Sequence, residues 1–188
     1  KLSPIQYEFI KYGTQIYNDN ELEQLKWEKV RNVGELVAWW GKGSGKDMCS
    51  VIIQARVAYL LLCLYTPQKY YNVLHTSSID MLNMAYNSDQ AEDIFFETFA
   101  ETIRQCSWFN GKCKIYTNVV EFDNRIYSYS GNSFEEAFEG KNLIIAVLDE
   151  ISAFKTKIEV EQMSMRRLRA PRYSAESVYD MAKSSVES

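Results

Sequence analysis

Two groups of residues in the 188-residue sequence have the types and spacing to do chemistry: Gly41-Lys-Gly-Ser-Gly-Lys46, and the adjacent carboxylates Asp149 and Glu150. A glycine run between a strand and a helix lets several backbone N–H groups converge on one anion, with the positive end of the helix dipole behind them. Lys46, directly after Gly45, is placed to reach the β- and γ-phosphates of a nucleotide, as in the pattern G-x-x-x-x-G-K-[ST]. Lys42, inside the loop, is a second cation near the expected γ-phosphate. The sequence departs from that pattern at Trp40, where its first glycine would stand, and at Asp47, where Ser or Thr would stand.

Asp149 and Glu150 follow the apolar run Leu143–Leu148. In a nucleotide hydrolase a carboxylate at such a strand end holds Mg²⁺, and its neighbour orients and deprotonates the attacking water. A glycine turn with a solvated lysine would explain the loop alone, and a charged strand boundary would explain the carboxylates alone. Their occurrence together, in the order a P-loop NTPase uses, favours the hydrolase. Glu150 further favours turnover over passive nucleotide binding, because a sensor needs no water activator.

The elements that must position these groups are legible in outline. Glu35–Trp40 reads as a short strand, and Asp47–Leu64 as the helix after the loop. Ser78–Tyr86 reads as a second strand, and Ser88–Gln105 as an amphipathic helix with Ala91, Ile94, Phe95, Phe99 and Ile103 at three- to four-residue intervals. Lys112–Thr117 and Arg125–Ser130 predict two strands joined through Glu121–Asn124 as a hairpin. Leu143–Leu148 has the unbroken apolar character of a parallel strand covered on both faces. Thr156–Leu168 and Ala175–Ser185 predict further helices. The expected fold is an α/β P-loop NTPase of the additional-strand, catalytic-glutamate type, with a central, mostly parallel sheet flanked by helices. Residues 1–34 are expected to form a helical flank and 35–188 the ATPase core.

Composition narrows the class. With 46% hydrophobic and 24% charged residues, three prolines and eight glycines, the chain can build an ordinary globular core. A formal charge of −4 argues against a uniformly basic nucleic-acid-coating protein, so any DNA contact must be local. The four cysteines lack paired metal-site spacing and read as reduced thiols, and the lone His75 excludes a multi-histidine metal site. Val57–Leu64 is too short to cross a bilayer. Asn87 and Gln90 could face the γ-phosphate side of the site. Trp40, Tyr7 and Tyr12 are candidates to stack on adenine. Arg166, Arg167 and Arg169 form a basic cluster that suits either a solvated helix face, a DNA phosphate contact or a cation supplied to a neighbouring subunit.

Three separated stretches, Trp40–Asp47, Asn83–Asn87 with Gln90-Ala91 and Phe95-Phe96, and Val147–Phe154, together resemble the ATPase domain of the large terminase subunit of tailed bacteriophages. The likeness spans roughly residues 30 to 188, and Asp after the loop lysine is familiar in that family. The resemblance implies an ATP- and Mg²⁺-dependent motor that drives double-stranded DNA into a procapsid in the host bacterial cytoplasm. Its implied partners are a portal protein, a small terminase subunit and further copies of itself in a ring.

By matched position, the ATP phosphates would be bound by Gly41, Lys42, Gly43, Ser44, Gly45, Lys46, Asp47 and Met48, with Asp47 also on the metal. Asp149 would hold Mg²⁺, Glu150 would be the catalytic base, and Lys46 and Lys42 would assist at the reacting phosphate. Lys141 joins Arg166, Arg167 and Arg169 as a candidate trans-acting cation. The family's coupling motif and nuclease domain are not recognisable before Ser188, so the expectation is an ATPase domain without DNA cleavage.

Overall fold

The computed structural model describes residues 2–14, 34–85, 92–132, 141–149, 155–165 and 174–187. The chain divides into two compact units, Lys1–Tyr59 and Leu60–Ser188.

In the first unit, helix α1 spans Pro4–Thr14. Its start is a capping box. The backbone N–H of Ser3 donates to Gln6 Oε1 (2.8 Å), and the backbone N–H of Gln6 donates to Ser3 Oγ (3.4 Å). Pro4 stands where a missing N–H costs nothing. Helix α2, Lys46–Cys63, begins in this unit. Between the two helices, Leu36, Ala38 and Trp40 are partly buried, while Val37 is 72% and Trp39 is 93% exposed. That alternation has the period of a strand, as the sequence suggested. Yet Glu35–Trp40 forms no ladder among the described residues, so the expected loop strand is an irregular segment there.

In the second unit, a short helix α3 (Pro67–Tyr70) leads to strand β1 (Ile79–Ala85), then helix α4 (Glu92–Gln105). Three strands follow: β2 (Cys113–Ile115), β3 (Val119–Phe122) and β4 (Ile126–Asn132). Strand β5 is Leu143–Leu148, and helices α5 (Lys157–Met165) and α6 (Ala175–Glu187) come last. The sheet order is β2-β3-β4-β1-β5. Strands β4, β1 and β5 are parallel, while β2, β3 and β4 form an antiparallel meander.

The meander corrects the expected two-strand hairpin. Glu121 and Phe122, read as part of the connection, belong to β3 and pair with β2 and β4. The true turn is Asp123–Arg125, where Asn124 adopts φ 59°, a conformation short polar side chains tolerate.

Strand β1 is the spine. Leu82 and Met84 form a buried cluster with Leu143 and Val178, against which Ala146, Leu148 and Ala175 pack, so α6 closes this face of the parallel strands. Helix α4 packs on β1 and β4 and buries Phe95, Phe96, Phe99 and Ile103. Only Leu143 of β5 is fully buried, and among the described residues β5 pairs with β1 alone, so the run is less enclosed than its composition suggested. Ile144 is an extra residue between the pairs Asp80↔Leu143 and Met81↔Ile145, a β-bulge that re-phases the rest of β5. No described helix is long and apolar enough to cross a membrane, and all four cysteines are free thiols.

Candidate functional site

The glycine loop lies wholly in the first unit. A turn closes it, with the Ser44 N–H donating to the Gly41 carbonyl at 3.2 Å, and helix α2 starts at once, Cys49 N–H reaching Gly45 O at 3.1 Å. Gly43 (φ 76°) and Gly45 (φ 79°) both occupy the left-handed region, where a side chain is strained. A Cβ on Gly41 or Gly43 would meet no atom within 4 Å, so the backbone there stands open to an incoming group. Lys42 is exposed, whereas Lys46 and Asp47 are partly buried in the first turn of α2, and Met48 is exposed. Burial, with the Asp47 charge adding to it, pushes the thiol of Cys49 above its ordinary range.

Ser44 Oγ is buried and has no hydrogen-bond partner among the described residues. A buried hydroxyl is normally satisfied, so an unused donor inside a glycine loop at a helix N-terminus fits a loop shaped for an oxyanion. The donor set agrees: backbone N–H groups, a hydroxyl and the cations Lys42 and Lys46 suit a polyphosphate, and Asp47 supplies an oxygen of the kind Mg²⁺ takes.

Helix α1 is bound to this loop along one face, at Gln6, Phe9 and Gly13. Gln6 Nε2 donates to Ser44 O at 2.6 Å. The ring of Phe9 meets Trp40 edge-on at 5.1 Å between centroids. A Cβ on Gly13 would collide with Ile53 of α2 and sit 3.0 Å from Leu36 Cδ1. Trp40, the first departure from the standard loop pattern, is thus an anchor for α1. Tyr7 and Tyr12 are 54% and 39% exposed. The contribution of Gln6 was missed at the level of sequence, although the capping signature Ser3-Pro-Ile-Gln6 was there to find.

In the second unit, Asp149 lies at the carboxyl end of β5. Its backbone N–H donates to Met84 O at 2.9 Å, which carries the parallel pairing one residue past the strand. The carboxyl ends of adjacent parallel strands are where α/β proteins place their ligands. One residue before Met84 on β1, Asn83 is buried within the sheet, its Nδ2 donating to Ser128 Oγ (3.2 Å) while Oδ1 has no partner among the described residues.

The opposite end of β1 and β5 is held by Asp80. Its Oδ2 accepts from Ser78 Oγ (2.8 Å) and the Asn142 N–H (3.0 Å). Asp80 is fully buried, and burial raises its carboxyl above the ordinary range against the smaller lowering influences of these two bonds and of Lys141. Lys141 Nζ lies 3.7 Å from the centre of the Tyr129 ring. Glu150, Asn87, Gln90, Arg166, Arg167 and Arg169 lie outside the described residues. No group of three or more potential metal ligands occurs among those described.

An α/β sheet with parallel strands ending at Asp149, and a glycine loop opening helix α2, define a P-loop domain. Comparison with known proteins agrees: a family described as "Uncharacterized protein MJ0330, N-terminal P-loop domain" matches residues 1–188, and the chain belongs to it. A relative, "Uncharacterized protein MJ0330" of Methanocaldococcus jannaschii, is 30% identical over 133 residues, covering 60% of this chain and 21% of that protein. The chain thus matches about a fifth of that relative's length. No solved structure matches. The terminase likeness gains no support from these comparisons, which place the chain in a P-loop family named for an archaeal protein.

Proposed function

We propose that this domain binds a nucleoside triphosphate, ATP by the motif resemblance, through Gly41–Met48 and hydrolyses it with Glu150 as the base. The observation that carries the reading is the buried, unpartnered Ser44 hydroxyl between two left-handed glycines at the start of α2. Lys46 and Lys42 offset the charge of the terminal phosphates, and the loop N–H groups orient them. Asp47 and Asp149 are the carboxylates that would hold Mg²⁺, which when bound draws charge from the phosphate oxygens. Glu150 takes a proton from water as the water oxygen forms its bond to the γ-phosphorus. The bond from that phosphorus to the bridging oxygen breaks, leaving ADP and inorganic phosphate.

Steady-state phosphate release by wild type, Lys46→Ala and Glu150→Ala tests this. Lys46→Ala should lose nucleotide binding and turnover together. Glu150→Ala should keep binding while turnover falls about 100-fold or more. Wild-type rates in both variants would end the assignment.

The likeness of the three motifs to terminase ATPase domains supports a finer reading, a ring-forming motor for double-stranded DNA acting with a portal and a small subunit. Lys141, Arg166, Arg167 and Arg169 are its candidate trans-acting cations. Its test needs the full-length protein in a capsid-filling assay, and DNA that enters normally despite Lys46→Ala would exclude it.

A further inference from the structure

We infer that Gln6 is a positioning residue for the glycine loop: its side-chain amide locks the Ser44–Gly45 peptide in the orientation that leaves the Gly45 N–H free to bind an anion. The inference rests on reading the loop as a phosphate site and adds the element that sets its shape.

The orientation of the Gln6 amide is fixed by its two partners. Oε1 accepts from the backbone N–H of Ser3 (2.8 Å), which can only donate, and Nε2 donates to the Ser44 carbonyl (2.6 Å), which can only accept. A flipped amide would break both bonds. A trans peptide is planar, with its C=O and the following N–H pointing in opposite directions. With Ser44 C=O held toward α1, the Gly45 N–H must point away from α1. Glycine with positive φ has little barrier of its own against peptide rotation, and a rotated peptide would turn a carbonyl oxygen toward any bound phosphate.

The approach is close enough to be specific. A Cβ on Gly45 would lie 2.8 Å from Gln6 Nε2, so glycine is required there for contact as well as for φ. Phe9 against Trp40 and Gly13 against Ile53 hold the same face of α1 on either side of the loop, which keeps Gln6 in place.

The test compares wild type, Gln6→Ala and Gln6→Glu in calorimetric binding of Mg·ATP and of Mg·tripolyphosphate, with ¹⁵N NMR of the Gly45 amide in the unliganded proteins. Gln6→Ala should weaken both ligands equally, by about threefold to tenfold, and should broaden the Gly45 resonance. Gln6→Glu should be weakest at pH 8, where a carboxylate opposes the Ser44 carbonyl. It should recover toward wild type near pH 4, where the acid form that can donate is well populated; a packing defect would show no such recovery. A loss confined to Mg·ATP would make Gln6 a base-reading group and overturn the lock, as would a wild-type Gly45 resonance in Gln6→Ala. If wild type binds neither ligand, the phosphate-site reading fails, and the Gly45 resonance alone decides the lock.

Discussion

Phe9 of α1 meets the indole of Trp40 edge-on, at 5.1 Å between ring centroids and 62° between planes, directly before the glycine loop. The pair joins a helix at the start of the chain to the residue that stands where a glycine is usual in such loops. Phe9→Ala should destabilise the first unit by about 1–2 kcal/mol, the value of an aromatic pair plus partial burial. Faster amide exchange across Pro4–Thr14, with the parallel strands unaffected, is the expected sign. Equal protection in both proteins would mean that α1 is held by its other contacts.

Gly43 and Gly45 share a left-handed backbone but differ in surroundings. Gly43→Ala should carry only the backbone strain, on the order of 1 kcal/mol. Gly45→Ala adds the collision with Gln6 and should lower the thermal midpoint further. In the double variant Gln6→Ala/Gly45→Ala the steric part should vanish and the strain remain, a coupling that a double-mutant cycle reads directly.

Asp80 supplies a pH dependence whose sign follows from burial. Its folded carboxyl titrates above the ordinary value of 3.8, so the folded state holds the proton more tightly than the unfolded chain. This contribution to stability is full below that value and is lost as pH rises through the raised one. Asp80→Asn keeps one oxygen that can accept from both Ser78 and Asn142, without a charge to desolvate. In urea unfolding it should be at least as stable as wild type at pH 7, and the difference should shrink toward pH 4. Asp80→Ala leaves the Asn142 N–H without its side-chain acceptor and should cost about 1–3 kcal/mol.

Lys141 acts on the same carboxyl and also covers Tyr129. Lys141→Ala should raise the Asp80 carboxyl further, steepening the loss of stability with rising pH. It should also remove a cation–π contact of about 0.5–1 kcal/mol. A pH profile unchanged from wild type would mean that solvent screens the pair.

Much of the parallel half of the fold was legible because its signals are local. Leu143–Leu148 is β5 as read, Ile79–Ala85 lies inside the expected second strand, and α2 begins one residue before its expected start. The meander was harder. Val119–Phe122 is a four-residue strand whose turn side carries Glu121, and the acidic pair Glu121 and Asp123 drew the turn too early. Glu35–Trp40 shows the limit of periodicity, which reports the alternation of side chains but not whether a neighbouring strand is there to pair with. The glycine turn before α2 and the place of Asp149 at the end of β5 were legible as motifs. Gln6 was not, since its role depends on a contact 38 residues away in sequence that no local pattern encodes.

The bulge at Ile144 has a consequence in the arithmetic of the sheet. Along a strand, odd and even positions face opposite ways, and one inserted residue exchanges them. Counting from Leu143, which shares a register position with Asp80, the extra residue places position 149 in step with the odd-numbered residues of β1, the set of Met81 and Asn83. On the other side of the bulge, Leu143 keeps step with the even-numbered set and lies with Leu82 and Met84 beneath α6. The single hydrophobic residue that interrupts the ladder therefore lets Leu143 and Asp149, both odd in number, take opposite faces of one strand, and deleting it would regularise the ladder while leaving Asp149 one step beyond the Met84↔Leu148 pair.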